Sequence, residues 1–383
     1  MPIRNLQKAV TRWTAEAHHL SRDKLPPSIA KASGEARCPC NFRGDSIGAC
    51  SGVGPSMPIL VTGSAGHLGE AILRTLRTQG VRSAGLDRKR SPFTELVGSV
   101  SDRAFVSAAM KDVSAVVHAA TLHKPHVATH SWQDFIDTNV TGTLNLLEAA
   151  TAAGVEKFVY LSTTSVFGAA HSDRSAAGAV WVTEELPPRP RNIYGVTKLM
   201  AENLCELASR KRRLPVLILR TSRFFQDEDD NAAVRREYAT ANVQANELLY
   251  RRVDIEDAVA AVLLALEKAP AIEFGKYIIS ATTPFTPADR KLLEQDAPAA
   301  VRKLFPEYEA LFAARGWRVF PRLDRVYVNR CARDELGWHP RYDFRHVLDC
   351  LASDREFRSP LANLVGSKGY HDRPFADGPY PVE

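Results

Sequence analysis

The sequence predicts an α/β fold, in which a doubly wound parallel sheet is followed by a smaller C-terminal α+β lobe. From Met57 to Arg220, short apolar runs alternate with segments that have helical spacing, as in βαβ units. A glycine-rich turn follows the first apolar run. After Arg220 the alternation weakens, and proline, arginine and aromatic residues become frequent, so we expect a separate lobe there.

Five short apolar runs define the strands of the predicted sheet. They are Ile59–Thr62, Val81–Leu86, Val113–Ala119, Phe158–Ser162 and Val216–Leu219. Among the intervening helices, Phe135–Ala153 has apolar residues at helical spacing, and Gly154 is placed to cap its C-terminus.

The composition excludes several classes of protein. The 383 residues are 45% hydrophobic and 25% charged, as in an ordinary globular protein. The longest strictly apolar run has nine residues, Ala258–Leu266, whereas a membrane-spanning helix needs about 20. The net charge of +6 is not accompanied by a nucleic-acid-binding module. Six cysteines do not suggest a disulfide framework, and they favour a cytoplasmic setting.

The glycine-rich turn Val61–Gly69 follows the first strand and opens the first helix. Its G-x-x-G-x-x-G spacing permits a tight turn and brings backbone N–H groups close to a pyrophosphate. On its own, this turn is also compatible with a loop that binds no ligand. Asp87 adds weight because it ends the second strand, where an acid accepts hydrogen bonds from a ribose. Together they predict a Rossmann-like dinucleotide-binding domain.

The charge next to Asp87 bears on the choice of dinucleotide. An acid at this position repels a 2′-phosphate and favours NAD. Arg88, Lys89 and Arg90 follow directly, so NADP stays possible, although these three residues also fit a solvated basic turn.

Two further motifs point to hydride-transfer chemistry. Tyr194 and Lys198 are four residues apart on a predicted helix and share one face. We expect the ammonium to lower the pKa of the phenol, which could then accept a hydroxyl proton. Thr163 or Ser162, where the fourth strand ends, is placed to hydrogen-bond the reacting oxygen.

Together with Asn139–Ala150, these motifs resemble the extended short-chain dehydrogenase/reductases, and more narrowly the NAD-dependent epimerase/dehydratase family acting on nucleotide sugars. The resemblance runs from about residue 57 to 352 and includes Val253–Val259 and Glu335–Pro340. It implies a catalytic set of Thr163, Tyr194 and Lys198. The residues that it implies at the cofactor are Gly63, Gly66, His67, Leu68, Gly69, Asp87, Arg88, Val100, Ala119 and Lys198.

Departures from the family pattern concern the substrate. Thr164 follows Thr163 where 4,6-dehydratases carry an acid, so dehydration is disfavoured. Arg223 replaces an asparagine that meets the diphosphate in many nucleotide-sugar enzymes, and it could bind a phosphate or a carboxylate. The acidic run Asp227–Asp230 is expected to be a solvated loop. Residues His123, Thr164 and Arg223 are the candidates for substrate binding.

Three histidines, His123, His126 and His130, follow the third strand. They could bind a substrate carboxylate or a metal, but Pro125 opposes the regular helix that metal spacing would need. We therefore predict histidines of the surface or the substrate pocket and no metal site.

The predicted domains are a flexible extension (1–56), an NAD(P)-binding domain (57–222), a substrate lobe with elements returning to the sheet (223–360) and a tail (361–383). The predicted function is NAD-dependent hydride transfer at a carbinol carbon of a sugar or nucleotide sugar, with an epimerase favoured. The alternatives are a dehydrogenase or reductase of another hydroxy or keto substrate, and a non-catalytic dinucleotide sensor. Apolar residues at helical spacing on Phe135–Ala153 and on the helix that carries Tyr194 and Lys198 could meet a second copy of the chain, so we predict a homodimer.

Overall fold

A computed structural model of the chain describes residues 58–172 and 178–369, together with His371 and Phe375. The predicted N-terminal extension and most of the predicted tail lie outside the described residues. Within the described ranges, no helix combines the length and the apolar character that are needed to cross a bilayer.

The centre of the described chain is a seven-stranded sheet, in the order β3-β2-β1-β4-β5-β7-β8. All its neighbouring strands pair in parallel. The predicted doubly wound parallel sheet is therefore confirmed. Its strands are β1 (Ile59–Thr62), β2 (Ser83–Asp87), β3 (Leu96–Val97), β4 (Ala115–His118), β5 (Lys157–Thr163), β7 (Val216–Thr221) and β8 (Phe274–Ile279). A separate pair comprises β6 (Val180–Val182) and β9 (Arg325–Tyr327).

Helices cover both faces of the sheet and the C-terminal region. In chain order they are α1 (His67–Thr78), α2 (Arg103–Ala109), α3 (Trp132–Phe135), α4 (Gly142–Ala152), α5 (Ile193–Arg212), α6 (Ala232–Glu237), α7 (Thr240–Leu248), α8 (Ile255–Ile272), α9 (Arg290–Gln295), α10 (Ala297–Leu304), α11 (Tyr308–Ala313), α12 (Arg330–Leu336), α13 (Phe344–Ala352) and α14 (Pro360–Val365). A π-helical turn, Ile136–Thr141, joins α3 to α4, and 3₁₀ turns occupy Lys124–His126, Thr164–Ser172 and Pro287–Asp289.

Two apolar clusters bury the two faces of the sheet. On one face, Ile72 of α1 and Val262 of α8 pack with Val117 and Leu219. On the other, Leu146 of α4 and Cys205 of α5 pack with Val116 and Phe158. A third cluster, which includes Phe312, Phe344 and Val326, forms the core of the C-terminal lobe. Because each face is covered, the strands read as continuous apolar runs and not as alternating ones.

Two sequence segments that contributed to the family resemblance hold each other in the fold. Trp338 is fully buried, and its indole Nε1 donates to the backbone carbonyl of Asp257, at 2.9 Å. The Asp257 carboxylate accepts the backbone N–H groups of Arg341 and Tyr342, at 3.0 and 2.9 Å. Burial nevertheless raises the pKa of Asp257 to about 8. The two segments therefore join the chain that follows α12 to α8.

Exposed apolar side chains collect on α4 and α5, which pack against each other. Leu144 on α4 is 39% exposed, and Val196 and Met200 on α5 are 38% and 40% exposed. The residues expected from sequence at this surface are Val140, Leu144 and Leu147 on one helix and Val196, Leu199 and Leu204 on the other. Leu144 and Val196 are exposed, whereas Leu147 is buried and Leu199 and Leu204 pack against core clusters. Leu144, Val196 and Met200 thus form an exposed apolar stripe on α4 and α5 that a second copy of the chain could cover.

We expect the protein to be a homodimer through this stripe, since a self-complementary pair of helices from each copy would bury it. Light scattering should give twice the chain mass of 42.2 kDa. The double variant Leu144→Lys, Met200→Glu should give the single-chain mass. Leu364→Glu on α14, where the leucine is 61% exposed, is the control and should stay dimeric. A wild-type mass near 42.2 kDa would contradict the prediction.

Candidate active site

The turn after β1 brings a strand, a helix and a loop unusually close together. Gly63 has a φ of 76°, and its N–H donates to the Leu86 carbonyl at 2.8 Å. A Cβ on Gly63 would lie 2.7 Å from the Ala120 nitrogen, and one on Gly69 would lie 2.0 Å from the Gly63 carbonyl oxygen. Two of the three predicted glycines are therefore required by internal packing as well as by any ligand.

The start of α1 fits a pyrophosphate. Gly66 is the N-cap residue and offers no side-chain acceptor to the first turn, whose N–H groups also have no acceptor within the helix. The helix dipole adds partial positive charge at this end. His67 and Leu68 open the helix and are both buried. The His67 imidazole accepts the Lys368 backbone N–H at 3.0 Å. We therefore assign the expected contact of His67 with a phosphate to its backbone N–H.

Asp87 stands beside the glycine turn. Its carboxylate accepts the Ala65 N–H at 3.1 Å and the Lys89 N–H at 2.9 Å. Both oxygens retain lone pairs for ribose hydroxyls. Arg88 borders an open cleft of about 450 Å³ that Ser101 and Thr141 also line. Val100, which precedes Ser101, is buried, and Ala119 donates its N–H to Thr62 next to the glycine turn. The predicted cofactor residues thus surround one edge of the sheet.

We expect Asp87→Ala to lower the selectivity for NAD over NADP, because the acid that repels a 2′-phosphate is removed. It should also weaken NAD binding, because the Ala65 and Lys89 N–H groups lose their acceptor. Dissociation constants for both dinucleotides, measured by calorimetry, test this. Asp102→Ala at the α2 N-cap is the control and should leave the ratio unchanged. A wild type that prefers NADP would refute the role of Asp87.

The structure brings together the three residues predicted as the catalytic set. Thr163 ends β5, and Tyr194 lies in the first turn of α5, which packs on that strand. The Thr163 hydroxyl is close enough to the phenol to favour its charged form. Burial raises the pKa of Tyr194 to about 12, against the lowering effect of Thr163. Ser162, the alternative to Thr163, donates instead to Glu202 at 2.5 Å, so Thr163 is the hydroxyl beside the phenol.

Lys198 does not act on Tyr194 as the spacing predicted. Its Nζ donates to the Leu161 carbonyl at 2.6 Å and lies 4.2 Å from the centre of the Tyr160 ring. Burial lowers the pKa of Lys198 to about 7. The expected decrease of the Tyr194 pKa is therefore wrong, because burial of the phenol dominates and the Lys198 ammonium is directed at a carbonyl.

Two buried polar residues that sequence reasoning left without a role fix this site. The Asn139 amide oxygen accepts the Leu122 N–H at 2.8 Å, and its nitrogen donates to Thr197 Oγ1 at 3.0 Å. His118 bonds Thr62 through Nδ1 and Thr143 through Nε2. Burial and then Lys198 hold the His118 pKa well below its usual value. The signal for Asn139 was available, since it opens the motif Asn139–Ala150.

Of the candidate substrate residues, His123 lies next to Tyr194, and Thr164 follows Thr163 in the chain. The His123 ring centre is 5.9 Å from that of Tyr194. Burial, followed by His126 and Lys198, keeps the pKa of His123 well below its usual value, so the ring is neutral at pH 7. His126 accepts the His123 N–H at Nδ1, at 2.9 Å. Thr164 follows Thr163 and is buried. Their roles in binding remain predictions.

Arg223 lies at the same edge but is engaged by carboxylates. Its guanidinium is 2.7 Å from Asp229 and 3.0 Å from Glu247. The expectation of a solvated loop at 227–230 is wrong, because Asp229 is buried and Asp227 and Asp230 are half-buried. Arg223 pairs with Asp229 and Asp230, and these ion pairs keep the segment packed against the protein. The local sequence does not reveal such pairs.

Three arginines surround the fully buried Glu247. They are Arg223 at 3.0 Å, Arg251 at 2.9 Å and Arg252 at 2.6 Å. Burial alone would raise the pKa of this carboxyl, but the arginines outweigh it and lower the pKa to about 2. Glu247 therefore stabilises the folded state above the unfolded pKa near 4.5, and this contribution is lost as the pH falls toward 2.

We expect Glu247→Gln to destabilise the protein by about 3–5 kcal/mol at pH 7, since it leaves arginines without their counter-charge. The difference from wild type should shrink as the pH falls below about 4.5, where the wild-type carboxyl begins to lose its advantage. Urea unfolding at several pH values measures both. Glu309→Gln, which breaks an exposed pair with Arg302, is the control. A pH-independent difference would show that the charge of Glu247 is not the cause.

The sequence profile of the NAD-dependent epimerase/dehydratase family matches residues 59–279, more than half of the chain. The chain belongs to this family. The match begins at β1 and ends with β8, so it spans the whole seven-stranded sheet. The predicted family is thereby confirmed, and NAD is the cofactor of the family.

Relatives of two kinds are similar to the chain. It is 32% identical over 168 residues to an L-arabinose 1-dehydrogenase (NAD(P)(+)) of Haloferax volcanii, covering 42% of the chain and 65% of that protein. It is 31% identical over 173 residues to a UDP-glucose 4-epimerase of Azospirillum brasilense, covering 42% and 47%. The matched stretch is thus less than two thirds of either relative.

A similar solved structure is a short-chain dehydrogenase/reductase superfamily protein of Agrobacterium tumefaciens with bound NAD. It is 27% identical with a TM-score of 0.55, and the match covers 77% of this chain and 96% of that one. The UDP-N-acetylglucosamine 4-epimerase of Bacillus cereus, at 23% identity and a TM-score of 0.53 over 76% and 95%, shares the fold. These likenesses agree with the Rossmann-like fold predicted from sequence.

Proposed function

We propose that the protein is an NAD-dependent oxidoreductase that oxidises a carbinol carbon of a sugar. The observation that carries this proposal is the buried phenol of Tyr194, on which the Thr163 hydroxyl acts to favour the phenolate, together with Lys198 of α5, whose Nζ donates to Leu161 of the same strand as Thr163. A non-catalytic dinucleotide sensor would have no need of a buried phenol with this hydroxyl partner.

In this proposal, Tyr194 and Thr163 have separate roles in the reaction. Tyr194 accepts the proton of the substrate hydroxyl, and Thr163 hydrogen-bonds the reacting oxygen and favours the phenolate. The chemistry that bound NAD would supply is a hydride acceptor and a positively charged nicotinamide ring. Positive charge beside a phenol lowers its pKa, and burial holds the pKa of Tyr194 at about 12. The carbinol thus loses a hydride from its carbon and a proton from its oxygen and becomes a carbonyl.

Lys198 has a further role in this scheme. With a pKa of about 7, it exists in both protonation states near neutral pH and can hydrogen-bond a ribose hydroxyl in either. His123 offers a neutral imidazole beside Tyr194, which can donate to or accept from a second substrate hydroxyl. Asn139 holds the backbone before His123 and the helix of Tyr194 in fixed register.

The net reaction distinguishes the two enzymes that this proposal includes, an epimerase and a dehydrogenase. If the hydride returns to the opposite face of the carbonyl, the enzyme is an epimerase, as the sequence favoured. If the reduced cofactor leaves, it is a dehydrogenase. Accumulation of NADH with a sugar as sole substrate shows the dehydrogenase, and sugar interconversion without net NADH shows the epimerase.

We expect Tyr194→Phe to reduce turnover by about 10²–10⁴-fold, the usual range for loss of a general base. NAD affinity should change little, because the phenol acts on the substrate proton. Tyr308→Phe, at a buried tyrosine in the lobe core, is the matched control and should keep full turnover. Activity of Tyr194→Phe within about tenfold of wild type would remove Tyr194 from the mechanism.

A further inference from the structure

We infer, on the basis of the proposed oxidoreductase function, that the substrate is an uncharged monosaccharide and not a sugar attached to a nucleotide diphosphate. The inference comes from the segment Asp227–Asp230, called here the acidic segment, and from the charges that surround it.

The acidic segment lies beside the candidate catalytic residues. Thr221 of β7 is in register with Thr163 of β5, and the segment begins six residues further on. Asp227 is 3.5 Å from the His67 imidazole at the glycine turn. Asp230 pairs with Lys124, the residue after His123. The segment therefore links the cofactor turn to the loop next to Tyr194.

Six cations near the acidic segment each contact a carboxylate. Arg223 contacts Asp229 and Glu247, Lys124 contacts Asp230, and Lys368 contacts Glu70. Among the described residues of this cluster, ion pairs join six cations to four acids, while Asp227 lies beside the His67 imidazole and Glu228 is exposed. The cations are Arg74, Lys124, Arg223, Arg251, Arg252 and Lys368, and the paired acids are Glu70, Asp229, Asp230 and Glu247.

A nucleotide diphosphate needs cations that are not already paired with acids. Phosphate recognition relies on bidentate arginine contacts or on a lysine point charge. Moving Arg223 to a diphosphate would leave the buried Asp229, among the described residues, with Arg251 at 3.9 Å as its remaining ion-pair partner, and breaking a buried ion pair is costly. The exposed Glu228 would add repulsion. A neutral sugar needs no cation from these pairs and is not repelled by Glu228.

Two buried polar atoms of the cluster suit hydroxyl groups. Within the described residues, Asp227 Oδ2 accepts no hydrogen bond, and Arg251 Nε donates none. A sugar hydroxyl both donates and accepts, so a polyhydroxylated ligand can satisfy one acceptor and one donor without carrying charge. A diphosphate could use the donor only and would be repelled by the carboxylate.

The test measures UDP binding to the NADH-loaded protein. NADH fluorescence reports that the cofactor stays bound, and calorimetry reports UDP. We expect no UDP binding in the micromolar range, and NAD-dependent turnover of one or more neutral aldoses in preference to UDP-glucose. Micromolar binding of UDP, or a higher kcat/KM for UDP-glucose than for every neutral aldose tried, would overturn the inference but leave the oxidoreductase function standing.

A pair of variants tests the cause. Asp230→Asn removes the counter-charge of Lys124 and a neighbour of Arg223, and should strengthen UDP binding by about tenfold relative to wild type. Glu228→Gln, an equal change of charge at an exposed position of the same segment, should have a smaller effect. Equal effects of the two variants, or no effect of Asp230→Asn, would show that the ion pairs do not exclude diphosphates.

The two proposals fail in different ways. If the wild type binds NADH but turns over neither aldoses nor UDP-glucose, the oxidoreductase function is refuted, and with it the assignment of a substrate class. If it turns over only UDP-glucose, the function stands and the neutral substrate is refuted.

Discussion

The side-chain amide of Asn139 is the contact on which the geometry of the site depends most. Its four hydrogen bonds join the backbone at Leu122 and the hydroxyls of Thr121 and Thr197. Thr197 lies on α5, three residues after Tyr194, while Leu122 directly precedes His123. One buried amide therefore sets the distance between the catalytic helix and the loop that faces it, and the π-helical turn places that amide inward.

The strands and the glycine turn could be predicted because their signals are local. Glycine spacing, an acid at a strand end and the Tyr194–Lys198 interval each lie within a few residues. Charge pairing is different: Arg223 and Glu247 are 24 residues apart, and no spacing rule predicts that they meet. The same limit explains the error about the Tyr194 pKa, since burial is a property of the assembled fold and not of a helix face.

Burial shapes the chemistry of the site more than nearby charges do. It raises the pKa of Tyr194 and lowers that of Lys198, so burial favours the neutral form of each group. A buried carboxylate can stay charged when cations surround it, as Glu247 does among three arginines. The proposed catalytic pair and the arginine cluster around Glu247 are thus both buried, but only Glu247 has opposite charges close enough to outweigh burial.

Asp87 has a structural task in addition to its expected contact with the ribose. Its carboxylate holds the backbone at Ala65 and at Lys89, so the group that would discriminate between dinucleotides also braces the turn that would bind both. An evolutionary change of cofactor preference in this protein would consequently have an order of steps. A substitute acceptor for the turn would have to arise before the acid could be lost, and lineages without it would pass through a poorly binding intermediate.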